Sequence, residues 1–68
     1  LYAQKKYDAA LRAFQLAISI TPSFADAHYW AGKCLEALGN KPEAKLNYQR
    51  AYGLDKTNTE AKAAAERL

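Results

Sequence analysis

Apolar residues recur at helical spacing in successive stretches, and polar, turn-forming residues separate them. Ala10, Phe14, Ala17 and Ile18, with Leu11 beside them, share one face of a helix predicted from about Tyr7 to Ile20. Ahead of it, Lys5 and Lys6 read as a turn, and Leu1 to Gln4 as the end of an earlier helix. Ala27, Ala31, Cys34, Leu35 and Leu38 form a second stripe, on a helix from about Phe24 to Leu38. A third helix is predicted from about Lys41 to Leu54, and a fourth from about Asn58 to Leu68. The breaks between them are Thr21-Pro22-Ser23, Leu38 to Pro42, and Gly53 to Asn58.

The ends of these helices carry their own signals. Ser23 stands where an N-cap is needed, with Asp26 three residues on; Asn40 and Glu43 repeat the spacing, and Thr57 and Glu60 do so again. Pro42 fits the first turn of the third helix, where N–H groups lack helical partners. Gly39 is placed to end the second helix in a left-handed conformation.

A shift of 34 residues lays one half of the chain on the other. Leu1 then meets Leu35, Ala3 meets Ala37, Ala10 meets Ala44, Phe14 meets Tyr48, Ala17 meets Ala51 and Ile20 meets Leu54. The matches fall at predicted core and cap positions rather than on the surface. Two helices per period of this length is the pattern of a solenoid.

Composition narrows the functional classes. Half of the 68 residues are apolar, a quarter are charged, and Gly and Pro are few, which is a globular balance. No apolar run approaches the roughly 20 residues of a membrane span. The single cysteine cannot form an internal disulfide, and one Cys with one His cannot build a four-ligand zinc site. The net charge of +3 comes from basic residues dispersed among acids, without the clustered stripe that nucleic acid needs. No nucleophile with a partnering base, phosphate loop or metal spacing is visible, so neither an enzyme nor a cofactor is expected. Cys34 falls on the apolar stripe and reads as a buried structural thiol, and His28 as a packing residue. A free cysteine is compatible with a soluble protein of the cytoplasm.

The sequence resembles the tetratricopeptide repeat family, whose pattern is W-x2-L-G-x2-Y, then A-x3-F, then P. Gly32 occupies the glycine slot, and Ala44-Lys45-Leu46-Asn47-Tyr48 supplies the small residue and the aromatic. The preceding unit gives Ala10-Leu11-Arg12-Ala13-Phe14, then Ala17 and Pro22. The departures are His28, Ala31 and Leu35 in the tryptophan, leucine and tyrosine slots, and Lys56 in the proline slot. In the last helix Lys62, Ala65 and Glu66 replace Trp, Leu and Gly, which reads as a solvated cap.

The resemblance implies an all-α fold: tetratricopeptide-type helix-turn-helix repeats in a right-handed superhelical α-solenoid, with a C-terminal capping helix. It divides the chain into a partial repeat over 1–24, a full repeat over 25–58 and the cap over 59–68. On the second helix Asp26, Tyr29, Trp30 and Lys33, with Glu36 at the edge, lie away from the apolar stripe. Two large aromatics on a polar face either pack against neighbouring helices or serve an interface. In the family this side lines a concave groove for an extended peptide or partner helix. The resemblance thus makes Asp26, Tyr29, Trp30, Lys33 and Glu36 the expected binding residues. Tyr2 and Ala3 extend the groove on one side, and Glu60, Ala63 and Arg67 on the other. The clamp by which some members grip an acidic chaperone tail is not reproduced. Its slots hold Tyr29, Lys33, Trp30, Glu60 and Ala64, of which only Lys33 could meet a carboxylate.

The expected function is non-catalytic binding of a protein or peptide ligand, scaffolding a larger assembly, without nucleic acid or membrane. The alternative is a homo-oligomerisation or stacking module, acting through an open N-terminal end. The chain starts mid-repeat and reads as a piece of a longer protein. Its apolar surface near Leu11, Phe14 and Ile18 is then expected to be open, with marginal stability or self-association as the result.

Overall fold

The computed structural model describes the backbone from Tyr2 to Leu68 and the side chains from Lys6 onward. Four helices follow one another: α1 (Tyr2–Ile20), α2 (Ala25–Ala37), α3 (Lys41–Leu54) and α4 (Thr59–Arg67). The described residues contain no strand. Each helix packs on the next in sequence, most extensively α2 on α3, and the three- and four-residue connections make neighbours antiparallel. The Cα envelope of 34 × 28 × 16 Å is that of a slab about two helices thick.

The core is built from small residues. Ala44, Ala51 and Ala61 are wholly buried, with Ala31 and Cys34 nearly so, and among the described residues Tyr48 is the one large side chain fully enclosed. Gly32 shows why small residues are required. A Cβ added there would stand 3.0 Å from two ring carbons of Tyr48 and 3.2 Å from the Ala44 carbonyl oxygen. The absence of that carbon lets α2 and α3 close on each other, and Tyr48 fills the space. Phe14, its counterpart in the 34-residue shift, is only half-buried.

The helix ends correct three expectations. The turn at Lys5–Lys6 does not occur, and α1 runs unbroken from Tyr2. No Gly, Pro or capping residue interrupts Tyr2 to Tyr7, and Ala, Gln and Lys all propagate a helix. Ser23 is not the cap of α2; Phe24 takes that position, with no side-chain bond. Thr57 does not cap α4. Its hydroxyl and amide both bond to the Asp55 carboxylate, and Asn58 is the cap, accepting from the Ala61 N–H at 3.0 Å. Asn40 holds the N-cap position of α3 without using its side chain, and Pro42 lies in the first turn.

The end of α2 is built as expected. Gly39 has φ +87°, the Gly39 N–H bonds to the Glu36 carbonyl, and the Asn40 N–H reaches back to the Leu35 carbonyl. This pair of bonds satisfies the last carbonyls and turns the chain sharply into α3.

A further correction concerns the open surface. Leu11 is buried in the core, while Phe14 and Ile18 are partly buried against that core and so only partly open. Among the described residues, the exposed large apolar side chains of α1 are instead Tyr7, Leu16 and Ile20, at 42%, 62% and 74%.

Candidate functional site

Several side chains of α2 gather at one place on the slab. Residues 29, 30, 33 and 36 recur at intervals of one, three and three, so they project on one side of the helix. Trp30 is half-exposed, and its ring meets that of Tyr29 edge-on, with centroids 5.4 Å apart and planes at 70°. The Lys33 ammonium lies over both rings, 5.1 Å from the Trp30 centroid and 5.3 Å from that of Tyr29. That geometry gives the lysine a favourable seat on two π faces. Among the described residues Lys33 makes no ion pair.

Tyr29 sits deeper than a groove residue needs to. It is 9% exposed, its ring is 5.7 Å from that of Tyr48, and its hydroxyl donates to Glu60 at 3.2 Å. Most of Tyr29 therefore belongs to the packing between α2, α3 and α4. Glu36 is half-buried and works as a junction. It accepts from the Tyr48 hydroxyl at 2.8 Å and from Arg67 through two bonds of 2.6 and 3.1 Å. Arg67 and then Tyr48 hold its carboxyl below the usual range. The same contacts act in reverse on Tyr48, whose hydroxyl is pushed up by burial first and by Glu36 second. Asp26 is exposed in the first turn of α2 and lines neither depression described below.

Two depressions flank Lys33. One, of about 460 Å³, lies between α1 and α2 and is lined by Tyr7, Trp30, Lys33, Cys34, Glu36, Ala37 and Tyr48. The other, of about 370 Å³, lies between α2 and α4, with Tyr29, Lys33, Glu60, Ala63 and Arg67 among its walls. The structure thus brings together Trp30, Lys33 and Glu36, sets Tyr29 beneath them and leaves Asp26 apart. Glu60, Ala63 and Arg67 do lie beside the second depression, whereas the side chains of Tyr2 and Ala3 are outside the described residues.

Sequence reasoning missed Tyr7, which it placed only as a helix start, and the links that join α2 to α4. Those links had a signal. Tyr29 to Glu60 and Glu36 to Arg67 both span 31 residues, one helical turn short of the 34-residue shift. Cys34 and His28 behave as packing residues. Burial pushes the Cys34 thiol up. His28 is buried, and its Nε2–H donates to the Pro22 carbonyl at 2.8 Å, tying α2 to the turn before it.

Antiparallel helices that pack in sequence, a small-residue seam and a shallow aromatic face define a helical repeat protein. Residues 1–39 match the family model of the TPR repeat, and the chain belongs to the tetratricopeptide repeat family. Members of this family generally mediate protein–protein interaction and are typically non-catalytic. Comparison with curated proteins and with solved structures returns no match. No helix among the described residues is long and apolar enough to cross a membrane.

Proposed function

We propose that the chain binds a peptide or a partner helix along the inward face of α2, and so scaffolds a larger assembly. Trp30, Lys33 and Glu36 supply the contact surface, Tyr29 supports it from below, and Asp26 adds a charge at the near end of the helix. The observation that carries this reading is the half-exposed Trp30, held edge-on by Tyr29 and capped by Lys33, between two depressions. An immobilised aromatic with a polar handle is the kind of side chain that dominates binding surfaces. In this reading 1–24 is a partial repeat, 25–58 a full repeat and 59–68 a solvated cap, stacked as a right-handed superhelix. A random-peptide display selection tests it, run on the wild type and on Trp30→Ala/Lys33→Glu. Peptides enriched on the first and lost on the second support the groove; equal enrichment on both places binding elsewhere.

A second reading rests on α1. Ala9, Ala13, Leu16 and Ile20 are all exposed and recur at intervals of four, three and four. That spacing makes a continuous seam, suited to packing against another helix. In this reading the chain is a stacking or homo-oligomerisation module. Sedimentation of Leu16→Glu/Ile20→Lys beside the wild type separates the two, because only the second reading requires association that the substitutions abolish.

A further inference from the structure

Taking the groove reading as its basis, we infer that the α1–α2 cleft seats a bulky apolar side chain, aromatic for preference, from a partner segment carrying a carboxylate within reach of Lys33.

The walls argue for the apolar part. Tyr7 from α1 and Trp30 from α2 both stand partly free, at 42% and 47% exposure, and line the same cleft. Cys34 and Ala37 add small side chains to the lining and Tyr48 a third ring. Its volume of about 460 Å³ falls within the roughly 300–1,000 Å³ of ligand clefts. A planar or branched side chain entering there finds aromatic surface on the walls from both helices. Tyr and Trp side chains offer large contact area at little entropic cost.

Charge complementarity argues for the acidic part. Four charged groups border the cleft or the adjoining depression: Lys33, Glu36, Glu60 and Arg67. Glu36 and Arg67 satisfy each other through a double hydrogen bond, and the Tyr48 hydroxyl takes up more of the Glu36 carboxylate. Among the described residues Lys33 meets only π faces and no hydrogen-bond acceptor, so its ammonium N–H groups are available to a ligand. Of the two charged side chains that line the cleft itself, Glu36 is thus already engaged and Lys33 sets the local charge, while Glu60 lines only the second depression, where it accepts from the Tyr29 hydroxyl, and acids outnumber bases on α2 as a whole. A carboxylate can approach Lys33 without dislodging the lysine from the rings, while a basic residue in the same place meets repulsion.

The test uses the tryptophan already in the cleft. Trp30 is the sole tryptophan of the chain, so its emission reports the cleft directly. Four pools of blocked nonapeptides, none containing Trp, are titrated against the chain under selective tryptophan excitation. One pool pairs Phe with a nearby Glu, the second Phe with Gln, the third Phe with Lys, and the fourth Ala with Glu. The expected result is saturable binding of the Phe/Glu pool, weaker by roughly tenfold for Phe/Gln and by more for Phe/Lys and Ala/Glu. Lys33→Glu should reverse the order of the Glu and Lys pools, and Tyr7→Ala should weaken every Phe pool. Both substituted side chains are exposed, and retained helicity by circular dichroism confirms that the variants fold. Equal binding of the Glu, Gln and Lys pools overturns the carboxylate, and indifference to Tyr7→Ala overturns the cleft; in both cases the groove reading stands. No binding by any pool, with a display selection that also enriches nothing, overturns the groove reading with it.

Discussion

Two residues decide how closely the helices approach and how they are locked. At Gly32, adding a methyl group places it against the Tyr48 ring and the Ala44 carbonyl. The ring cannot yield cheaply, because Tyr29 packs against it at a tilt and Glu36 holds its hydroxyl. The overpacking cost of roughly 1–3 kcal/mol therefore exceeds the gain of about 1 kcal/mol in helix propensity. Gly32→Ala is expected to lower the urea midpoint, with unchanged slope in the denaturation curve. Glu36 supplies a pH signature. Its carboxyl is held low by the Arg67 and Tyr48 hydrogen bonds. A depressed folded pKa gives stability that is complete above the unfolded value of about 4.3 and lost as pH falls through the folded one. Glu36→Gln should therefore flatten part of the acid limb of a stability–pH profile while lowering stability near neutrality. A variant that tracks the wild type at every pH would contradict the junction.

At the scale of the element, the caps show how far the sequence could be read. The extent of α3 was legible to the residue because Asn40, Pro42 and the closing polar run bracket it without a competitor. Around α2 and α4 the spacing of a capping residue and an acid three positions on occurs, but the chain uses another residue. Thr57 is diverted by Asp55, and Asn58 is left to cap. Choosing between adjacent hydroxyl and amide side chains depends on which competing acceptor is near, and that is settled only in the turn. The consequence is measurable. Asn58→Ala should cost about 1 kcal/mol in urea unfolding, while Ser23→Ala should be close to neutral. The missed continuity of α1 has a related origin, since no breaker in the residues themselves marks a turn at Lys5–Lys6. The candidate site was legible where residues share one helix face, as Trp30, Lys33 and Glu36 do. The contribution of Tyr7 was not, because it depends on how α1 lies against α2.

At the scale of the whole molecule, the core is thin and alanine-rich, and several large apolar side chains remain outside it. Cys34 gives a probe of how tightly that core holds. Its thiol is buried and pushed up by desolvation, so little thiolate is present near neutral pH. Labelling by a thiol reagent should be slow in the folded chain and should accelerate in step with urea unfolding. Fast labelling without denaturant would mean that α2 opens independently of the rest. The claim that matters most is that the inward face of α2 is the binding surface. Backbone amide chemical-shift mapping with a display-selected peptide tests it most directly. The account predicts perturbations centred on Trp30, Lys33 and Glu36, reaching Tyr7 on one side and Arg67 on the other. Perturbations confined to Leu16, Ile20 and their neighbours on α1 would contradict it.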